Sequence, residues 1–200
     1  MKTSKQTTEN TLSKVNRILG INESYKAPEA MMKALFDEEN RKGMFLQFME
    51  AFDYELDREW FYEYFEDEHA DRKTKKQDFT PQSVSNLMAG ILMTTKVKED
   101  DRDYQVVEEP AAGCGSTIIQ HWNNTRKGHT PWDFRPGDYL YLLTEKASKT
   151  IPFLLFNLMI RGMNAIVIHG DALTQEMYAG YWIYNEQNTS MVFSDIYKFA

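Results

Sequence analysis

The sequence contains little cysteine, and this limits the chemistry that it can support. Among its 200 residues only Cys114 is a cysteine, which excludes an intrachain disulfide and a metal site built from several thiolates. The four histidines, His69, His121, His129 and His169, do not show the spacing of metal ligands. We therefore expect no metal centre.

Long apolar segments are also missing. No apolar run reaches the length of about 18 residues that a membrane span needs. The N-terminal sequence MKTSKQTTEN lacks the apolar core of a secretory signal, so we expect a cytoplasmic protein without membrane association. A net charge of −7 argues against a broad basic surface for nucleic acid, although a local basic patch is compatible with it.

Hydrophobic residues make up 42% of the chain and aromatic residues 14%, which is enough for one good core. Before residue 78 the apolar pattern is helical: Leu12, Val15 and Leu19 share one helix face, and Pro28 suits a helix start. Further apolar residues recur at three- and four-residue spacing. They are Phe45, Phe48, Met49, Phe52, Leu56, Trp60, Tyr64 and Phe65. We predict a helical region over 1–77 that uses these side chains as core and packs on a domain over 78–200.

The helical region is also acidic. Ten carboxylates lie between Glu50 and Asp71, where the only basic residue is Arg58. Such a run is typical of a solvated helix face, but it could also imitate the phosphate rows of DNA and occupy a basic groove on a partner. Both interpretations stay open. The basic stretch 72–76 that follows is well placed to touch a phosphate backbone if one is present.

From residue 78 onward, strand and helix signals alternate. Thr80 and Pro81 suit the N-cap and first position of a helix. Strands are predicted over 104–107, 139–143 and 165–168, with helices over 116–123 and 147–161 between them. Strands separated by helices indicate a parallel α/β sheet, in which ligands bind beyond the carboxyl ends of the strands.

Three consecutive strand ends carry residues suited to a ligand. Gly113 and Gly115 lie between a strand and a helix, where the backbone can approach a ligand closely, although such glycines are often only turn residues. Glu145 lies at the end of the next strand and could accept both hydroxyl hydrogens of a ribose. Asp171 lies at the end of the third and could accept a hydrogen bond from an exocyclic amine. The sequence therefore predicts a pocket with a glycine turn, a ribose acceptor and an amine acceptor.

These residues resemble the S-adenosylmethionine (SAM) half of N6-adenine DNA methyltransferases. The segments that carry the resemblance follow one another in the family's order. They are Phe79-Thr80-Pro81, Glu109-Pro110-Ala111-Ala112-Gly113-Cys114-Gly115-Ser116, Glu145, Asn157-Leu158, Gly162 and Gly170-Asp171-Ala172-Leu173. The chain is most similar to the modification subunits of type I restriction systems, which also carry an N-terminal helical region.

The resemblance implies a Rossmann-like methyltransferase sheet with SAM as cofactor. Thr80 and Pro81 would then border the methionine end of SAM. Glu109, Gly113 and Gly115, with Pro110 in the same segment, would cradle its amino-acid portion. Glu145 would bind the ribose, and Asp171 would bind the adenine amine.

The sequence departs from the family where the catalytic motif is expected. In these enzymes an Asn/Asp-Pro-Pro-Tyr/Phe motif follows the fourth strand, binds the target amine and stacks on the flipped base. Here the predicted fourth strand, 191–193, precedes Ser194-Asp195-Ile196-Tyr197, which makes Ser194 and Tyr197 the degenerate catalytic candidates. Both prolines are absent, and the later strands of the family's sheet are not present after residue 200, so we expect a truncated homologue.

Three hypotheses remain. The first is an adenine-N6 DNA methyltransferase, or half of one, that binds SAM and reaches DNA through a partner. The second is an interaction protein of a phage or mobile element that acts on a restriction or replication component through its acidic helices. The third, a remnant without SAM binding, conflicts with the intact strand-end residues. A strand at the C-terminus leaves a sheet edge that we expect a second copy or partner subunit to cover. We favour the first hypothesis and expect no activity from the isolated chain.

Overall fold

A computed structural model describes residues 9–65 and 103–199 of the chain. Thr80, Pro81 and the predicted domain boundary near residue 78 lie outside the described residues. No helix in the described part is long and apolar enough to cross a membrane.

The first described segment starts with three short helices. The Asn10 side chain accepts a hydrogen bond from the Ser13 N–H at 2.9 Å and so caps the first of them. Pro28 lies in the first turn of the second, as the sequence predicts. The helices are α1 (Thr11–Ile18), α2 (Ala27–Leu35) and α3 (Arg41–Ala51), with a 3₁₀ turn over Ser24–Lys26 before α2.

The helical spacing predicted from residue 56 is wrong for its first part. Asp53 and Tyr54 adopt positive φ angles of 55° and 59°, which end the run of α3, and helical structure resumes only at Tyr62. The apolar side chains of this stretch are nevertheless core residues: Trp60 and Phe61 are 3% and 0% exposed. Apolar spacing thus located the buried side chains although the backbone between residues 52 and 61 is irregular.

A five-stranded sheet with two helices forms the second segment, which confirms the predicted α/β class. The strands lie in the order β1-β2-β3-β4-β5; β1, β2 and β3 are parallel, whereas β4 and β5 are antiparallel to their neighbours. Their bounds are β1 Gln105–Glu109, β2 Tyr139–Glu145, β3 Ala165–Asp171, β4 Glu176–Tyr184 and β5 Asp195–Lys198. Helix α4 (Ser116–Thr125) joins β1 to β2, and α5 (Ile151–Ile160) joins β2 to β3.

The predicted fourth strand at 191–193 is wrong. These residues form a turn and bend, and the Ser194 N–H donates to the Met159 carbonyl at 3.0 Å. The Ser194 hydroxyl also donates to the Met163 carbonyl, at 2.7 Å. Because both bonds go to the corner between α5 and β3, this stretch has no strand partner, and strand structure begins only at Asp195.

The helical segment packs on the α/β segment around α5, whose ten residues are all buried. Phe156 of α5 lies within ring-centroid distances of 5.4, 4.7 and 5.3 Å of Phe45, Phe48 and Phe61. Aromatic pairs at such distances contribute about 0.5 to 1.5 kcal/mol each beyond their burial. The two described segments therefore share one hydrophobic core. The predicted packing of the helical region on the α/β domain is thus seen for its described part, residues 9–65.

Candidate functional site

A cavity of about 370 Å³ lies at the carboxyl ends of the three parallel strands, within the range of small-molecule sites. The register of the strands brings these ends together, because Glu109 pairs with Leu143 and Glu145 pairs with His169. The lining residues come from the turn after β1, the end of β2 and the end of β3. They are Pro110, Ala111, Ala112, Gly113, Cys114, Ser116, Thr117, Glu145, Lys146, Gly170, Asp171, Ala172 and Leu173.

The turn after β1 requires its two glycines. Gly113 and Gly115 have φ angles of +56° and +91°, which glycine adopts without steric cost. A Cβ at Gly115 would also lie only 3.0 Å from Leu154 Cδ1 of α5. A Cβ at Gly113 would meet no protein atom within 4 Å, so the cavity side of the turn is open. Gly113 thus brings backbone without a side chain to the cavity wall, whereas Gly115 lets the turn pack closely against α5.

Glu145 fastens the turn to the end of β2. Its carboxylate is 7% exposed; one oxygen accepts the Gly113 N–H at 2.8 Å and the other accepts the Ala147 N–H at 2.6 Å. A carboxylate has about four acceptor positions, so about two remain after these bonds. Glu145 thus both holds the turn and retains acceptor capacity on the cavity.

Asp171 lies across the cavity at the end of β3. Its carboxylate contacts the Lys146 ammonium at 2.6 Å and accepts the Leu173 N–H at 2.9 Å. The hydrogen bond from Lys146 lowers the pKa of Asp171, and the same bond raises the pKa of Lys146. Asp171 is therefore ionised at neutral pH, with one cation beside it at the cavity wall.

Glu109 ends β1 beside the cavity but is not among its lining residues in the described part of the chain, unlike Pro110. Its carboxylate accepts the Ala111 N–H at 3.4 Å, a long contact across the start of the turn. Burial raises the pKa of Glu109. The carboxylate of Glu109 therefore contacts the start of the turn. Gly115 lies behind the residues that line the cavity.

Comparison with family models matches residues 59–195 to N-6 DNA methylase. The chain belongs to the N-6 DNA methylase family. Comparison with curated proteins and with solved structures gives no significant match. N-6 DNA methylases modify adenine in DNA and generally use SAM as methyl donor, and the predicted family is therefore confirmed at this level.

The structure does not bring the two catalytic candidates of this N-6 DNA methylase to the cavity. Ser194 is 1% exposed and bonds to Met159 and Met163, which precede the amino end of β3, whereas the cavity lies at the carboxyl end of that strand. Tyr197 lies on β5, 48% exposed, with its ring 5.6 Å from that of Trp182. The acid between them, Asp195, pairs with Arg41 of α3. The two candidates therefore occupy a different edge and end of the sheet from the residues that line the cavity.

Sequence reasoning missed a buried polar cluster behind the glycine turn, inside the segment that matches the N-6 DNA methylase model. Glu59, Asn157 and Arg161 are 8%, 0% and 2% exposed and are joined by hydrogen bonds. Glu59 belongs to the acidic run, where its neighbours made it look solvated. The feature of the sequence that could have indicated this cluster is Asn157, a single amide within the apolar sequence IPFLLFNLMI. Elsewhere, the described residues contain no group of three or more potential metal ligands.

Proposed function

We propose that this N-6 DNA methylase binds SAM in the cavity at the carboxyl ends of β1, β2 and β3. It would serve as the cofactor-binding part of an adenine-N6 DNA methyltransferase related to type I modification subunits. The observation that carries the proposal is the convergence of the glycine turn, Glu145 and Asp171 on one cavity. All three are features that the resemblance assigns to SAM.

The chemistry of the lining residues fits this cofactor. Glu145 retains about two acceptor positions, which suits the two hydroxyl groups of a ribose. Helix α4 begins at Ser116, and its N-cap residue Gly115 provides no side-chain cap, so the positive end of the helix dipole lies next to the turn. An anionic group is favoured at such a helix start, and the carboxylate of the methionine portion is the anionic group of SAM.

Asp171 suits the adenine end of the cofactor. Its ionised carboxylate can accept a hydrogen bond from the exocyclic amine, which is a donor only. Lys146 already occupies one oxygen, Oδ2, and the backbone of Leu173 contacts the other. An adenine amine would therefore share Asp171 with Lys146 or displace it, and Lys146 is free to move because its side chain is 67% exposed.

We also propose that methyl transfer requires a second chain. SAM supplies an electrophilic methyl group when bound, but the acceptor adenine must be flipped out and held beside it. The six prolines among these 200 residues are all isolated, so none of them forms a Pro-Pro motif, and Ser194 and Tyr197 lie away from the cavity. A partner that supplies the base-binding motif, as in a multisubunit restriction-modification enzyme of bacterial or phage origin, would complete the site and provide the contact with DNA.

Calorimetric titration with SAM and with S-adenosylhomocysteine tests the first proposal. We expect saturable binding of one molecule per chain for both compounds, because the proposed contacts involve the nucleoside and amino-acid portions that they share. Absence of binding at millimolar concentration of either compound would contradict SAM binding at this cavity.

A methylation assay with tritiated SAM and mixed DNA substrates tests the second proposal. We expect no transfer by the purified chain alone, because a displacement of about 1 Å from attack geometry already costs on the order of a hundredfold in rate. Robust transfer by the wild-type chain, lost in Asp171→Ala, would show that the catalytic residues are present and have been misidentified.

A further inference from the structure

Asn157 is a polar residue in the middle of a helix that is otherwise almost entirely apolar. It is 0% exposed, and burying an amide without hydrogen bonds is costly. In the structure, both of its donors and its acceptor oxygen have partners. Its Nδ2 donates to the Cys114 carbonyl at 2.8 Å and to Glu59 Oε1 at 3.1 Å, and its Oδ1 accepts from Arg161 Nη1 at 2.9 Å.

The partners fix the orientation of this amide. The Arg161 guanidinium can only donate, so it must face Oδ1, whereas the Cys114 carbonyl and the Glu59 carboxylate accept and must face Nδ2. Burial lowers the pKa of Arg161 to about 9, still above neutral pH, so the guanidinium is charged. If the amide were rotated by about 180°, its NH₂ group would face the Arg161 donor and its oxygen would face two acceptors. The Nδ2 group of Asn157 therefore points to the glycine turn.

Glu59 and Arg161 are in turn held by the backbone of the helical segment. Glu59 Oε1 also accepts the Phe61 N–H at 2.7 Å. Arg161 donates to the Leu56 carbonyl at 2.8 Å and to the Arg58 carbonyl at 2.7 Å. The irregular stretch from residue 56 to 61 is thus joined through three buried side chains to the carbonyl of the residue between Gly113 and Gly115.

We propose that Asn157 is a positioning residue that sets the conformation of the turn Ala112–Gly115 by holding the Cys114 carbonyl, and that Glu59 and Arg161 hold Asn157. This proposal rests on the proposed SAM site for its functional meaning, because the turn forms one wall of that site. Its structural content can be measured without ligand. The Gly113 and Gly115 N–H groups bond within the turn region, to Glu145 at 2.8 Å and to the Ala112 carbonyl at 2.8 Å, and their exchange with solvent reports its order.

The test compares Asn157→Asp with Gln120→Ala by amide hydrogen exchange of the ligand-free protein, followed by SAM titration. Asn157→Asp keeps the acceptor for Arg161 and, when ionised, has no donor for the Cys114 carbonyl. Gln120→Ala is the matched control, because Gln120 of α4 also bonds to the helical segment, at the Asp57 carbonyl (2.8 Å), without touching the turn. We expect exchange at Gly113 and Gly115 to accelerate about tenfold in Asn157→Asp and less than twofold in the control, since one hydrogen bond is lost at the turn.

The two readouts separate this proposal from the proposed function. Equal exchange in wild type and a folded Asn157→Asp overturns the positioning role, whatever the SAM result. Accelerated exchange supports it even if the wild type binds no SAM, and in that case only the SAM site fails. If SAM binds, we expect its affinity to fall about tenfold in Asn157→Asp and to stay within twofold of wild type in the control, because the disordered turn must be re-formed on binding.

A second pair of variants tests the positioning role of Asn157 if Asn157→Asp does not fold. Glu59→Gln keeps an acceptor oxygen at full side-chain length, whereas Glu59→Asp keeps the carboxyl group but withdraws its oxygens by one methylene. A role through the Asn157 contact predicts faster exchange at Gly113 in Glu59→Asp than in Glu59→Gln. The reverse order, or no difference, would overturn the proposal.

Discussion

The parallel half of the sheet, β1 to β3, and its antiparallel half, β4 and β5, are built in contrasting ways. The parallel half ends in turns that line a cavity and rests on a buried polar cluster at α5. The antiparallel half extends the other side of β3 by simple pairing and exposes aromatic rings on one face, among them Trp182 and Tyr184 with centroids 4.8 Å apart. Both halves share one core, and the parallel half gathers charged and polar side chains around an opening.

The way in which the strands are connected explains this difference. Crossover helices direct three strand ends to the same edge, where loops of separate origin can meet around a ligand. A hairpin such as β3–β4 instead places its turn beside a single strand end and lengthens the sheet. We therefore expect substitutions in the parallel half to alter ligand binding and those in the antiparallel half to alter it little.

The largest effect is expected from pH, through the acid beneath the parallel half. Burial raises the pKa of Glu59 to about 7, so the folded state favours its protonated form, and stability is lost as pH rises from about 4.5 to 7. The free energy of unfolding of wild type, relative to Glu59→Gln, should fall by about 3 kcal/mol over this range. Urea denaturation of both proteins at pH 5 and pH 8 measures the difference. If the free energy of unfolding changes equally with pH in the two proteins, burial does not raise the pKa of Glu59.

The next effect concerns the acceptor at the end of β2. Glu145→Gln replaces one oxygen by a donor, which must then face the Gly113 or Ala147 N–H, so the turn loosens and a ribose acceptor is lost. We expect SAM affinity to fall about 100-fold, as for two charged hydrogen bonds. Glu186→Gln, an exposed acid after β4, is the control for the antiparallel half. Calorimetry on both variants gives the comparison, and equal affinities would remove Glu145 from the proposed site.

Glycine substitutions should show the same contrast in stability. Gly115→Ala places a Cβ at φ +91° and 3.0 Å from Leu154 Cδ1, and should lower the free energy of unfolding by about 2 kcal/mol. In Gly180→Ala of β4, the atoms nearest to the new Cβ belong to the Phe199 ring, which is 54% exposed and can turn away. We expect this second variant to change stability by less than about 0.5 kcal/mol. Thermal or urea unfolding that ranks the two in the opposite order would contradict the close packing of α5 against the turn.

A smaller effect is expected at the end of β3. Asp171→Asn keeps an acceptor for the Leu173 N–H but weakens the acceptor for an adenine amine, and should reduce SAM affinity about tenfold. Asp133→Asn, which changes an exposed acid in the loop before β2, should leave the affinity unchanged. Titration of the two variants distinguishes a contact with the ligand from a general effect of charge.

The smallest effect should come from the antiparallel half itself. Tyr197→Ala removes a ring that is 48% exposed and packs at a tilt against Trp182, away from the cavity. We expect SAM affinity within twofold of wild type. A loss comparable to that of Glu145→Gln would mean that β5 contributes to the ligand site and that the two halves are not separate in function.

The sequence predicted the parallel half well because its signals are local. Glycines after an apolar strand, and a polar residue at the end of each of the next two, locate the cavity without knowledge of the fold. The predicted strands were too short at their carboxyl ends: β2 continues to Glu145 and β3 to Asp171, since charged residues at a strand end look like loop residues.

The antiparallel half and the polar cluster could not be predicted in the same way. Residues 176–184 contain good strand formers, but only tertiary pairing decides that they return along β3 and not through a crossover helix. Glu59 lies within an acidic run of the sequence, and its buried carboxyl accepts a hydrogen bond from Asn157, 98 residues away. The expected self-association, or a partner at the β5 edge, stays a prediction.

The surroundings of Arg161 have an optical consequence. Of the four tryptophans, Trp60 and Trp122 are 3% and 2% exposed, with Arg161 lying 5.7 and 6.0 Å from the two ring centroids. Trp132 and Trp182 are 81% and 42% exposed. Fluorescence emission should consequently divide into a blue-shifted pair that acrylamide does not reach and a red-shifted pair that it quenches. Only the shielded pair lies beside the cluster that holds the glycine turn, so the blue component of the emission is an intrinsic probe of that turn.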